Sequence, residues 1–173
     1  MYATKRTMGF TLIELIVVIV LISILAMLGI GLLSKTQDYS PRFVMDQWLT
    51  QIRMAQRLAF AKQNTGTLLQ FVVSQNANEW TMSINLDAQV IESYRVERDN
   101  VSVRSSTVDF VSACEDIPLL VFPHRFYFNG YGDAVDATDV QLATNTRLCF
   151  SGNFDLELCM SPSGYAYAGS CQP

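Results

Sequence analysis

At 173 residues the chain is about one domain long. Half of it is hydrophobic and only 16% is charged, against ~25% in ordinary soluble domains. Together with a mean hydropathy of +0.20, these values exclude a disordered chain and a collagen-like repeat, and they fit a purely cytosolic domain poorly. The apolar residues are concentrated: residues 10–33 form a run of 24 with a single ionisable group, Glu14.

Charge is unevenly placed along the chain. Lys5 and Arg6 precede the apolar run with no acid beside them. From Lys35 to Lys62 there are five bases and two acids, and after Gln63 five bases and thirteen acids. So acidic a terminal half is a poor surface for phosphate backbones, whose affinity comes from Lys and Arg displacing counterions, and nucleic acid is disfavoured as a partner.

As a helix, the apolar run is about 36 Å long, enough to cross a hydrocarbon core of about 30 Å with some tilt. Lys5 and Arg6 then keep the N-terminus cytoplasmic, and everything past Leu33 faces the periplasm or exterior. Glu14 is the anomaly, because a carboxylate in a spanning helix costs about 2.5–3.5 kcal/mol at the centre and less near the edge. Four residues into the run, it can also snorkel to the interface. Two alternatives stay open on these residues. One is a secretory signal cut after the run near Gly29 or Gly31, although the run exceeds the usual signal core. The other is a permanently anchored periplasmic protein.

Lys5, Arg6 and the stretch Gly9-Phe10-Thr11-Leu12-Ile13-Glu14-Leu15-Ile16 resemble the class III signal of the type IV pilin family. The resemblance implies a prepilin peptidase cut between Gly9 and Phe10 and methylation of the new Phe10 amine. It also makes Glu14 the family's membrane glutamate, whose charge neutralises a neighbouring subunit's amine in the filament core. A glycine before the scissile bond suits close approach by a protease. A buried charge left unpaired is expensive, so docking in the pairing register is favoured.

Beyond the run, Met45, Trp48, Ile52, Ala55 and Ala59 recur at the spacing of an amphipathic helix that ends near Lys62, with Asn64, Thr65 and Gly66 as the stop. Ser40-Pro41 reads either as a helix start or as a kink in a continuing helix. Many pilins carry a proline in the membrane half; here Gly29 and Gly31 stand there, and each weakens a helix by about 1 kcal/mol relative to alanine. Short β-rich runs follow at 67–73, 80–86, 90–96, 101–104, 119–122, 126–128, 146–150, 154–160 and 165–168, separated by turn residues such as 85–87, 151–153 and 161–164. The expected fold is α+β: a long N-terminal helix, transmembrane in its first half and amphipathic in its second, packed on an antiparallel β-sheet head. The expected division is a leader at 1–9, a membrane and filament-core helix at 10–33, an amphipathic helix at 34–64 and a periplasmic or extracellular head at 65–173. Phe126 to Val135 and Leu156 to Tyr167 resemble the two-motif ending of GspH/FimT-type minor pilins and pseudopilins. Some of these bind DNA through arginines in the last hairpin, but here Gly164-Tyr165-Ala166-Tyr167 carries none.

Cys114, Cys149, Cys159 and Cys171 include no C-x-x-C pair and share the chain with one histidine, His124. Two disulfides in an oxidising compartment are expected rather than zinc. Spacing does not choose among the three connectivities; consecutive pairing would put one bridge at the C-terminal tail. No nucleophile–base pair, metal cluster or phosphate loop emerges, so neither catalytic residues, metal ligands nor a cofactor is expected. Asp133, Asp136 and Asp139 do not match an EF-hand, and read as a solvated loop or a weak calcium site. Tyr131, Tyr165 and Tyr167 read as strand packing or as platforms for sugars.

The resemblance therefore implies a minor pilin, among known systems most like one of a mannose-sensitive haemagglutinin (MSHA)-type pilus. The alternatives are a minor pseudopilin of a type II secretion system and a pilus-tip adhesin or DNA-binding minor pilin. Its implied partners are other pilin or pseudopilin subunits, the prepilin peptidase and the inner-membrane assembly platform. Its implied location is the bacterial inner membrane, with a periplasmic C-terminus, and then the filament.

Overall fold

The computed structural model describes residues 11–33, 40–63 and 66–172, the side chains of 26–33 excepted. The chain divides into two units, Met1–Gln37 and Asp38–Pro173. The expected leader and the junction at residues 34–39 lie outside the described residues.

The first unit contributes helix α1, Leu12–Leu33. Gly29 and Gly31 lie inside it. Apart from Glu14 its residues are uncharged, and Ser23 Oγ donates to Ile19 O at 2.7 Å. Such a back-bond satisfies the hydroxyl within the helix, which apolar surroundings demand.

In the second unit, helix α2, Ser40–Ala61, buries Val44, Met45, Trp48, Ile52, Ala55 and Ala59 along one face. The sequence stripe is thus the packing face, and the helix ends one residue before the expected Lys62. Nine strands follow among the described residues: β1 Leu69–Gln75, β2 Glu79–Leu86, β3 Gln89–Glu97, β4 Ser102–Ser106, β5 His124–Phe128, β6 Ala134–Val135, β7 Thr146–Ser151, β8 Asp155–Met160 and β9 Ala166–Ala168. They form two antiparallel sheets, β3-β2-β1-β5-β6 and β4-β7-β8-β9. The helix lies against both. The fold is therefore the expected α+β, pilin-like one, with the head split into two sheets.

Period-two alternation sets the inner faces. Phe71 lies opposite Ile84 on one side and Phe126 on the other, and Trp80, Met82 and Phe128 join them in the core. From the second sheet come Leu148, Phe150, Leu158 and Met160. Trp48 is the meeting point: its ring stands edge-on to Trp80 of β2 at 6.0 Å and to Phe150 of β7 at 5.4 Å.

Two local expectations need correction, and one strand was not expected. The run at 119–122 forms no strand; Leu119 makes a single bridge to Arg104, because Pro118 and Pro123 flank it and neither can donate to a ladder. Strand β6, only two residues long, had no run to announce it. The turn joining β2 to β3 is Asp87-Ala88 rather than 85–87: Leu86 pairs with Gln89, and Asp87 and Ala88 have φ of 51° and 62°. A two-residue turn with both centres left-handed is type I′, and alanine there carries a steric cost of about 1 kcal/mol that glycine avoids. Ala88→Gly is expected to raise the head's stability by about 0.5–1 kcal/mol, read as a higher urea midpoint; a lower midpoint contradicts the turn assignment.

Candidate assembly interface

Helix α1 is the candidate interface in the first unit. Its described side chains, residues 12–25, are all exposed, including Leu12, Ile13, Leu15 and Val18. Over those residues alone no helix is long and apolar enough to cross a membrane. Those residues are only the first part of the helix. The whole helical stretch has 22 residues and is about 33 Å long, which matches the hydrocarbon thickness. An apolar rod with so little polar surface needs lipid or other helices around it.

Glu14 sits in the first turn of α1. Its Oε2 accepts the Thr11 backbone N–H and the Thr11 hydroxyl, each at 3.2 Å, while Thr11 Oγ1 accepts the Glu14 N–H at 3.3 Å. This is a capping box, two otherwise orphaned donors satisfied reciprocally, and its T-x-x-E signature stands in the sequence. Sequence reasoning weighed Glu14 as a charge and missed it as a cap. The two roles need different properties of the side chain: a cap needs an acceptor oxygen, whereas pairing with an amine needs the negative charge. Lys5, Arg6, Gly9 and Phe10, the other residues singled out at this end, lie outside the described residues.

The head is braced for life as a separate body. Disulfides join Cys114 to Cys149 and Cys159 to Cys171, so the pairing is consecutive. The first ties the loop after β4 to β7, and the second ties the tail to β8. In a chain-entropy account each contributes about 2–4 kcal/mol. Beside the first bridge lies Arg147, with a side chain only 3% exposed. Its Nη2 pairs with Glu157 Oε1 at 2.5 Å, and its Nη1 donates to Ser112 O at 2.9 Å. Arg104 Nη1 donates to Ile117 O at 2.6 Å. Cys114, Cys149 and Glu157 are the one grouping of metal-ligand residue types among the described residues, but both sulfurs are spent in the disulfide, leaving no thiolate for a metal.

The two stretches resembling the minor-pilin ending meet in space. Asn129 Oδ1 accepts the Tyr131 and Asp133 N–H groups, forming the turn between β5 and β6. From α2, Gln56 Nε2 donates to Gly132 O at 3.3 Å and to Ser163 O at 3.0 Å, clamping this turn to the last hairpin. Ala134 N–H reaches Pro162 O at 2.9 Å. Gly164, at φ 74°, packs so closely that any Cβ would collide with Gly132 O, so the pair of turns requires glycine there.

Although the last hairpin carries no arginine, helix α2 supplies one. Arg53 Nε donates to Ala166 O at 2.9 Å and its guanidinium lies 5.6 Å from the Tyr165 ring centre, while Tyr165 and Tyr167 stack at 6.1 Å. His124 begins β5 and packs edge-on to Phe126 at 4.6 Å, and burial lowers its pKa. It is held as a packed histidine. Asp136 is occupied with its own turn: its Oδ1 accepts from the Thr138 hydroxyl and from the N–H groups of Thr138 and Val140, which lowers its pKa.

The turn after β4 is similarly tight. Asp109 is held at a pKa of about 2, below the ordinary 3.8, by hydrogen bonds from the Ser112 side chain, then from the Ser112 and Val111 N–H groups. A carboxyl with a depressed folded pKa contributes stability that is complete above its unfolded value and is lost as pH falls towards the folded one. Between 3.8 and about 2 the stability of Asp109→Asn is therefore expected to fall less steeply with acid than that of the wild type. Identical slopes in paired acid titrations would contradict this.

Residues 6–30 match the family model described as the prokaryotic N-terminal methylation motif, well under half of the chain. No curated protein matches, and neither does any solved structure. The motif, ahead of an α+β head with two disulfides, supports a type IV pilin-like protein. A motif of this kind implies a structural subunit that is anchored in the membrane, meets a prepilin peptidase and assembles with other pilin-type subunits.

Proposed function

We propose that the protein is a minor structural subunit of a type IV pilus, assembled through its N-terminal helix after prepilin peptidase cleavage and N-methylation. The observation that carries this reading is α1 itself: an exposed apolar helix that opens on the Thr11–Glu14 box, within a methylation motif. In this reading residues 1–9 are a cytoplasmic leader, with Lys5 and Arg6 fixing orientation, and cleavage falls between Gly9 and Phe10. Methylated Phe10 then begins a filament-core helix ending at residue 33. The head, residues 65–173, stands on the amphipathic helix at 34–64 in the periplasm and later on the filament. Chemistry at the N-terminus belongs to the peptidase, and the subunit contributes packing.

Mass spectrometry of the chain recovered from sheared filaments is expected to show an N-terminal methyl-phenylalanine at position 10. An N-terminus at residue 30 or beyond, after Gly29 or Gly31, would establish instead an ordinary secretory signal, and an intact Met1 a permanent anchor. A pseudopilin of a type II secretion system shares this chemistry and is distinguished by the machine with which it copurifies. A tip adhesin or DNA-binding minor pilin has one observation in its favour, the stack of Arg53, Tyr165 and Tyr167, because guanidinium and aromatic faces together hold sugars and bases. Gel shift and glycan binding by the detergent-solubilised full chain separate that reading from a purely structural head.

A further inference from the structure

Among the described residues the two sheets end in four edge strands, β3 and β6 in one sheet and β4 and β9 in the other. An edge strand exposes unpaired N–H and C=O groups that template further pairing, so native proteins keep edges short, covered or interrupted. Three of these edges are closed in such ways. Strands β6 and β9 have only two and three residues. The free side of β4 is taken by the segment that crosses to β5: Ser105 N–H donates to Pro118 O at 3.2 Å, and Leu120 N–H donates to Val103 O at 2.9 Å.

The fourth edge, β3, is open. With nine residues it is the longest of these strands, and it contains neither proline nor lysine. The irregularity in its pairing falls between Ile84 and Asn85 of β2, which leaves 92–97 in unbroken register with 79–84. Where that register ends, Arg98 N–H donates to Asn78 O at 2.9 Å. In an antiparallel ladder N–H groups alternate in direction along the strand. Those of Glu92, Tyr94 and Val96 therefore face β2 as Arg98 does, and those of Ser93, Arg95 and Glu97 face away, together with their carbonyls. Among the described residues no backbone group receives them. Apolar surface lies alongside, with Tyr94 40% and Ile91 45% exposed.

Outward donors and acceptors at alternate positions match another extended backbone, the chemistry of strand addition. Charge narrows the occupant. Arg95 is paired with Glu79 at 3.9 Å, whereas Glu92 and Glu97 have no ion-pair partner among the described residues, so the edge carries spare negative charge. Opposite charges on neighbouring strands attract, and like charges directly opposite destabilise the pair. A second copy supplies no match. Its β6 and β9 are short and carry no base, its β4 is covered, and its β3 would set one acid surplus against another.

We infer that β3 is a strand-addition site: along 92–97 it pairs with an edge strand bearing lysine or arginine from the head of a different pilin-type subunit, joining two heads through one sheet. The inference rests on the reading of the chain as a minor subunit set among others, and it names the contact by which its head meets a neighbour. Main-chain hydrogen bonds hold such a junction, and the alternating side chains select the partner.

The test uses the full-length chain in cells that assemble the filament, with the photo-crosslinking amino acid p-benzoylphenylalanine at Ser93, an exposed position on the open edge. The expected product is a covalent adduct with a different pilin-type subunit. Its linked peptide, read by mass spectrometry, lies in an edge strand that carries lysine or arginine. Proline is tolerated on an edge strand where the missing N–H faced outward, so Arg95→Pro keeps the pairing with β2 and is expected to lower the yield at least about fivefold. Arg95→Gln loses the same charge and keeps the N–H, and its yield is expected within about twofold of the parent. The site of linkage is read without the proline and stands whether or not that variant accumulates. Absence of the adduct, an adduct only with a second copy, a linked peptide outside an edge strand or lacking a base, or equal yields from Arg95→Pro and Arg95→Gln overturns the inference. Sheared filaments that contain the methylated chain, from cells giving no adduct, refute the strand site alone. Filaments that lack the chain refute the subunit reading and the inference with it.

Discussion

Trp48→Ala is expected to cost the head about 3–5 kcal/mol, the usual range for truncating a fully buried tryptophan. The position explains why the upper half of that range applies. Trp48 has no exposure and stands edge-on to one aromatic ring from each sheet, Trp80 and Phe150. Truncation therefore opens the seam at which helix and both sheets meet, and forfeits two edge-to-face pairs worth about 0.5–1.5 kcal/mol each beyond their area. Against a typical domain stability of about 5–15 kcal/mol, the loss removes about a quarter of the total or more. Trp48→Phe should be far milder, because it keeps an aromatic ring at the seam and removes a buried indole N–H that has no hydrogen-bond partner among the described residues. Denaturant unfolding with the disulfides intact, followed by Trp80 fluorescence, measures both variants. A cost for alanine within about 1 kcal/mol of wild type, or no difference between alanine and phenylalanine, would show that the two sheets hold together without this junction.

The features legible in the sequence were those written in periodicity. Met45, Trp48, Ile52, Ala55 and Ala59 recur at helical spacing and are all buried. Most β-rich runs became strands within two residues of their expected ends, and the final three strands form a meander across the expected turns at 151–153 and 161–164. What periodicity cannot carry is partnership across long separations. Central strand β1 pairs with β5, more than fifty residues further on, and no local signal announces that pairing or the division into two sheets. Arg147 shows a middle case: in Thr146-Arg147-Leu148-Cys149-Phe150 the alternation already puts Arg147 on the same face as Cys149. That this face is buried depends on the 107–123 segment folding over it. At the N-terminus the opposite happened. The capping signature Thr11-x-x-Glu14 is local and readable, but the one charge of an apolar run and the acceptor of a capping box are the same carboxylate, and the sequence pattern alone does not separate the two roles.

That geometry makes Glu14 experimentally separable into two roles. Glutamine serves in a capping box as well as glutamate does, since either supplies the oxygen that accepts the Thr11 N–H. Only glutamate can neutralise the amine of Phe10 on a neighbouring subunit. If the charge pair drives docking, Glu14→Gln is expected to leave α1 helical and the chain inserted, yet to lower incorporation into filaments at least about tenfold, because an ammonium would stay uncompensated among apolar helices. Thr11→Val removes the reciprocal hydroxyl while keeping the carboxylate, at a local cost of about 0.5–2 kcal/mol in helix capping, and should change incorporation by no more than about twofold. The comparison is made by quantifying the chain in sheared filaments against its amount in membranes. Full incorporation of Glu14→Gln together with a marked defect in Thr11→Val would assign Glu14 to the helix end alone. The reverse pattern requires a charged partner within the assembled core, and under the proposed processing that partner is the Phe10 amine of a neighbouring subunit.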